Sequence, residues 1–167
     1  NFNRSRNWIS ISIGDGCEIM IKQIILAFFG SIFPVILFNI DRKKIIWTGF
    51  CGAIGWATYL VVYKYTHSSI AASFAGSFMV GIYSEFMARK LKTPAVQFSI
   101  PGIFPLVPGI TAYNTISHMV EQKYSLAYST SIQTIAVGGS IAFGIMLSST
   151  TFRFMSQIIR PNKKESI

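Results

Sequence analysis

The chain has 167 residues, of which 51% are hydrophobic and 13% charged, with a mean hydropathy of +0.46. Soluble domains carry about a quarter charged residues, so lipid rather than water is the solvent this composition suits. The net charge of +9 does not point to nucleic acid, because no basic segment is interleaved with stacking aromatics or set in a soluble module.

A membrane helix needs about 20 apolar residues in a row. No Asp, Glu, Lys or Arg occurs in 65–84, 93–120 or 124–152, and three such runs in so short a chain exclude an ordinary globular core.

In chain order, residues 1–19 come first and lack an apolar run. They begin basic and continue through polar serines, which is not the pattern of a cleavable signal. We expect them to be a non-native or disordered extension, with the functional protein beginning near Met20. The first span is expected from Ile21 to Ile40, with Pro34 kinking it against the carbonyl of Gly30, and stops at Asp41-Arg42-Lys43-Lys44. The second runs from Ile45 to Tyr63, and the third from Ser69 to Met87, ending at Arg89-Lys90-Leu91-Lys92. A proline-rich fourth segment covers Ala95 to Val120, and a fifth covers Leu126 to Phe152. The fold class is therefore an all-α membrane protein of about five transmembrane helices, the fourth broken by prolines. Residues 20–155 form its transmembrane domain and 156–167 a basic cytoplasmic tail.

Of the 15 Lys and Arg residues, 10 follow spans one, three and five, and the other five lie at the opposite ends. Basic loops stay in the cytoplasm, so the C-terminus is expected inside and the N-terminus outside. This parity requires the fourth segment to cross the membrane; a re-entrant loop would break it.

Small residues recur at helical spacing: Gly49, Gly52 and Gly55 in span two, Ser73, Ser77 and Gly81 in span three, Ala136, Ser140 and Gly144 in span five. In lipid such faces let backbones meet, either within the chain or at a subunit interface. Cys17 and Cys51 are too few and too far apart for a disulfide framework or a metal site.

The chemistry concentrates in residues 100–114, IPGIFPLVPGITAYN. Pro101, Pro105 and Pro108 supply no amide hydrogen and disfavour the helical bond to the carbonyl four residues earlier. Non-helical backbone at membrane depth is tolerated only where protein buries it or where it lines a wet cavity. Transporters use such breaks as sites, with half-helix N-termini facing anions and freed carbonyls holding cations. Pro108 suits the first turn of a new half-helix. The amides of Gly109 to Thr111, with the side chains of Thr111, Tyr113 and Asn114, are then placed to receive a carboxylate and a hydroxyl. A kinked structural helix is the plainer alternative.

Glu85 is the acidic residue inside an apolar span, and an intramembrane carboxylate is a functional candidate by default. It is a candidate for proton coupling or for binding an ammonium group. Arg89, four residues on, offers the alternative of a helical ion pair. His67 and His118 sit near span ends, and Gln133 and Thr134 are expected to hydrogen-bond a neighbouring helix. No metalloprotease, thiol-redox, nucleophile-elbow or Walker motif occurs, so an enzyme is not expected, nor a cofactor or metal.

The run Pro101 to Tyr113, with its Pro-Leu-Val-Pro-Gly core and following Thr-Ala-Tyr, is preceded by Ala88-Arg89-Lys90 and Thr93-Pro94-Ala95. Together they resemble the small-subunit type of the threonine/serine exporter family, over about Met20 to Phe154. The resemblance implies a multi-pass protein of the cytoplasmic membrane that works with a larger membrane subunit as a hetero-oligomer, with homo-oligomers an alternative. It implies proton-driven export of threonine and serine. Some relatives are associated with a dicarboxylate such as succinate instead, and a noncatalytic scaffold subunit is a further alternative. On a threonine ligand, Pro108 and Gly109 would take the carboxylate, and Thr111, Tyr113 or Asn114 the hydroxyl.

Overall fold

A computed structural model describes residues 16–37 and 44–159; most of the N-terminal extension, residues 38–43 with the expected end of the first span at Ile40, and the end of the basic tail lie outside the described residues. Every regular element among those described is helical: α1 (Gly16–Leu37), α2 (Ile45–Thr66), α3 (Ser69–Leu91), α4 (Val96–Ile103), a 3-10 turn (Phe104–Leu106), α5 (Gly109–Val120) and α6 (Tyr124–Ile159). Helix is the form that satisfies each backbone amide within its own segment where lipid offers no partner. Stretches of α1, α2, α3 and α6 are each long and apolar enough to cross a membrane.

All four long helices overrun an expected end: α1 begins at Gly16, before Ile21, and α2 continues past Tyr63 to Thr66. α3 continues past Met87 to Leu91, taking Arg89 and Lys90 into its last turn, where cations oppose the negative end of the helix dipole. α6 begins at Tyr124 and extends to Ile159. Pro34 lies buried within the last described turns of α1.

α2 and α3 form an antiparallel hairpin whose turn is set by His67. This residue caps α2 in the left-handed region (φ 50°), and its amide donates to the Tyr63 carbonyl at 2.9 Å. Cys51 stands beside Ser84, sulfur to hydroxyl 3.4 Å, and further along Gly55 meets Gly76. A Cβ built on Gly76 would lie 2.9 Å from the Gly55 carbonyl oxygen, so these two backbones touch with no room for a side chain. On the other side of α2, Gly49 faces Phe28 and Gly52 faces Ser31, both of α1. The glycine stripe of span two is thus consumed by packing within the chain.

α3 and α6 run parallel. The rings of Phe74 and Phe143 are 6.1 Å apart, Ser77 fills the notch at Gly144, and Ser148 fills the notch at Gly81. Beyond them the Arg89 guanidinium lies 4.9 Å over the Phe152 ring, so the residue numbers rise together along both helices. Both helices therefore end at one face, and the chain between Lys92 and Tyr124 passes from that face to the other. The fourth segment is a crossing, in two pieces. α4 has 8 residues and α5 has 12. At 1.5 Å per residue their lengths add to about 30 Å, roughly the thickness of the hydrocarbon core.

The face where α2 and α4 start and α3 ends gathers Lys44, Arg89, Lys90 and Lys92. Lys44 Nζ donates to Gln97 Oε1 at 3.2 Å, and Lys90 Nζ lies 5.4 Å over the Trp47 ring. His67, at the α2–α3 turn, lies at the opposite end of that hairpin.

Candidate functional site

The break in the fourth segment is built by its prolines. Pro105 has no amide to offer the Pro101 carbonyl, so the Phe104 amide takes it in a tighter bond. Pro108 likewise leaves the Phe104 carbonyl to the Val107 amide, at 3.3 Å. Val107 is then extended (φ −62°, ψ 130°), and Pro108 (φ −76°, ψ 59°) sits in the inverse γ-turn conformation. In that turn the Gly109 amide donates to the Val107 carbonyl at 2.7 Å. The first helical bond of α5 runs from the Ala112 amide to the Pro108 carbonyl at 3.0 Å, so the amides of Ile110 and Thr111 precede the ladder.

Pro108 is therefore the residue before α5 rather than a member of its first turn, because its ψ is not helical. The Gly109 amide expected for an anion is engaged by Val107. The Thr111 hydroxyl donates back to the Pro108 carbonyl at 3.0 Å. Gly109 and Tyr113 are exposed, Tyr113 by 71%, and Asn114 is half-buried. Pro101 is fully buried within α4 and Pro105 half-buried in the 3-10 turn. The seven expected residues thus divide: Pro101 and Pro105 lie inward, Pro108 stands at the junction, and Gly109, Thr111, Tyr113 and Asn114 lie along α5, which has no buried residue.

The turn is anchored by Leu106. Its methyl carbons lie 3.4 and 2.9 Å from where a Cβ on Gly55 or Gly76 would stand, and with Cys51, Val80, Val137 and Ile141 it makes the buried core. Gly102 brings α4 equally close: a Cβ there would fall 2.7 Å from the Cys51 sulfur.

Beside the turn, between α1 and α2, opens a groove of about 400 Å³ lined by Gln23, Leu26, Ala27, Gly30, Trp56, Phe104 and Pro105. Pro105 is the one expected residue in its wall; the other six were missed. The Trp56 indole nitrogen is sealed from solvent and has no hydrogen-bond partner among the described residues, an arrangement that costs about 1–3 kcal/mol. Its ring stacks on Tyr59 (5.0 Å, 17°), and Tyr59 on Tyr63 (5.8 Å, 9°), so an aromatic stripe leads from the groove toward His67. Two signals were visible in the sequence: Gln23, a polar residue early in the first apolar run, and Trp56, next to the glycines of span two.

Glu85 is half-buried near the end of α3. Arg89 turns instead to α6, donating to the Phe152 carbonyl at 3.4 Å, and no ion pair joins it to Glu85 among the described residues. Gln133 is exposed, and the Thr134 hydroxyl donates to Thr130 of its own helix at 2.8 Å, not to a neighbouring helix. Where a polar side chain is short, its own backbone four residues earlier is the nearest acceptor. At the α5–α6 turn, the Lys123 ammonium hydrogen-bonds the Glu121 carboxylate at 2.7 Å and holds its pKa below the ordinary carboxylate value.

Among curated proteins, the chain is 20% identical to an uncharacterized protein of Haemophilus influenzae, over 89% of this chain and 52% of that protein. It is 25% identical to a threonine/serine exporter of Corynebacterium glutamicum, over 64% of this chain and 22% of the exporter. The chain thus spans about half the length of the first relative and about a fifth of the second. No solved structure matches it. The profile of the family described as "Threonine/Serine exporter, ThrE" matches residues 23–151, from Gln23 at the groove through the broken crossing to the end of the α3–α6 seam. A multi-pass membrane chain matched over that length, α1 to α6, belongs to the threonine/serine exporter family.

Proposed function

We propose that this chain is one part of a proton-coupled secondary transporter that exports threonine and serine, completed by a larger membrane subunit. The observation that carries the reading is the crossing made of two half-helices, because broken helices at membrane depth are where transporters bind their cargo. We place the C-terminus and the Lys44–Arg89–Lys90–Lys92 face in the cytoplasm and the N-terminus outside, on the distribution of basic residues.

In this reading Pro105 and Pro108 fix the break, Pro101 seats α4 within the bundle, and Gly109, Thr111, Tyr113 and Asn114 present the exposed half-helix to substrate or partner. Glu85 carries the coupling proton or meets the substrate ammonium, and its lack of an ion pair with Arg89 favours this.

The test is transport of labelled threonine and serine into proteoliposomes holding the chain alone, its co-purifying membrane partner alone, or both, with and without an imposed pH gradient. Uptake that needs both proteins and responds to the gradient is the expected result. A partner that transports at full rate alone, once stabilised, would make this chain a scaffold. Transport of succinate in preference to both amino acids would replace the substrate.

A further inference from the structure

We propose that the outer seam between α2 and α3, at the end where α3 finishes, binds an anionic phospholipid. The ammonium groups of Lys90 and Lys92 hold its phosphate, and apolar side chains on the same face of α3 receive its acyl chains. Such a site needs only the membrane setting of the helices and stands apart from the choice of cargo.

The acidic residues among those described are Glu18, Glu85 and Glu121. Glu18 pairs with Lys22 and Glu121 with Lys123. Glu85 stands five positions before Lys90, about 140° around the helix at 3.6 residues per turn, and so on another face. Lys90 and Lys92 are exposed, and neither ammonium has an ion pair or a hydrogen bond among the described residues. Lys92 forms the left-handed cap of α3, at most about 7 Å from Lys90 along the chain. Arg89 adds a third charge beside them, turned to the Phe152 ring. Adjacent like charges repel, and an anion placed against them relieves that repulsion.

The depth of the site is set by Trp47, whose ring lies 5.4 Å below the Lys90 Nζ. Tryptophan settles at the headgroup level of a bilayer, so the ammonium is held where lipid phosphates lie. A ring face attracts a cation through its quadrupole and leaves the three N–H donors of the ammonium for phosphate oxygens. Farther along α3, Phe86 and Met79 lie about 40° and 20° around the helix from Lys90, and both are exposed. Phe50, one turn beyond Trp47 on α2, is exposed as well. A phospholipid carries an anion above apolar chains, and this seam presents cations above apolar side chains in the same order. An acidic peptide or free phosphate would match the charges alone.

The test reads lipid enrichment at Trp47. A parent full chain carrying Trp8→Phe and Trp56→Phe keeps Trp47 as its remaining tryptophan. It is reconstituted in phosphatidylcholine bilayers with a minor share of brominated phosphatidylglycerol or brominated phosphatidylcholine, whose tails quench indole fluorescence on contact. We expect phosphatidylglycerol to associate about twenty-five-fold more tightly, about fivefold per ammonium, since one charge near an anionic surface is worth about 1 kcal/mol. Lys90→Gln and Lys92→Gln should each lose about fivefold, and together the whole preference. Lys90→Arg should keep it, and Lys22→Gln, whose ammonium already pairs with Glu18, should match the parent. Equal quenching by the two lipids in the parent overturns the site, as does a preference that survives the double variant. Displacement by inorganic phosphate, beyond that caused by sodium chloride at equal ionic strength, would make a soluble anion the ligand and overturns it too. Loss of the preference when an accompanying membrane subunit is present gives this face to that protein, with the same consequence.

Discussion

The two halves of the fourth crossing have different surroundings. α4 is wedged among α1, α2 and α3, with Phe98, Pro101 and Gly102 buried. α5 leans chiefly on α6 and buries no residue. One stretch of chain thus holds an anchored half and an outlying half, joined by a turn pinned at Leu106. The anchored half fixes where the break lies in the bilayer. The outlying half can change its position without dismantling the core.

The sharpest way to break this comparison is a matched pair of glycine substitutions. Gly102→Leu drives a side chain into Cys51 and Val80. It should cost at least about 1–3 kcal/mol through overpacking and appear as loss of monodisperse protein in size-exclusion chromatography. Gly109→Leu, with nothing within 4 Å of the added Cβ, should elute as the parent does. Equal damage from both would show that α5 is as tightly held as α4.

A second pair concerns activity. Pro108→Ala and Tyr113→Ala should each lower threonine transport about tenfold or more, equivalent to about 1.4 kcal/mol in the transport barrier, with assembly intact. Unchanged transport would reduce α5 to a packing element.

Glu85→Gln should remove the response of transport to a pH gradient while leaving thermal stability within about 0.5 kcal/mol, because it breaks no ion pair with Arg89. A large drop in melting temperature would instead mark Glu85 as structural.

The smallest effect lies at the turn joining α5 to α6. The Glu121 pKa is lowered, first by the hydrogen bond from Lys123 and then by its charge. A carboxyl whose pKa is lower folded than unfolded contributes stability above its unfolded pKa and loses it as pH falls through the folded value. Glu121 is fully exposed, so only a slight acid loosening of this turn is expected, visible as faster amide exchange at Gln122 and Lys123 and absent in Glu121→Gln.

Much of the fold was legible because bilayer crossing demands long uncharged runs and prolines cannot be hidden in a helix. The break fell at Pro105 and Pro108, while Pro101 stays inside α4, which continues to Ile103. What was not legible depends on contacts between distant parts of the chain. Gln23 and Trp56 are separated by 33 residues, and only the α1–α2 packing brings them to one groove. The role of the Gly109 amide was misjudged because the inverse γ-turn at Pro108 engages it locally, which residue identity alone does not announce. Thr134 bonded its own backbone for a similar reason: a nearby carbonyl competes with any partner across an interface.

The interlock of α3 with α6 has a mechanical consequence. Ser77 seats at Gly144 and Ser148 at Gly81, each helix supplying one tooth and one socket. Sliding either past the other would lift both serines onto backbone at once, so the pair acts as a single strut. Any rearrangement that exposes the interior first to one side of the bilayer and then to the other must therefore be taken up elsewhere, by tilting α1 and α2 or swinging α5, with this strut as the fixed frame.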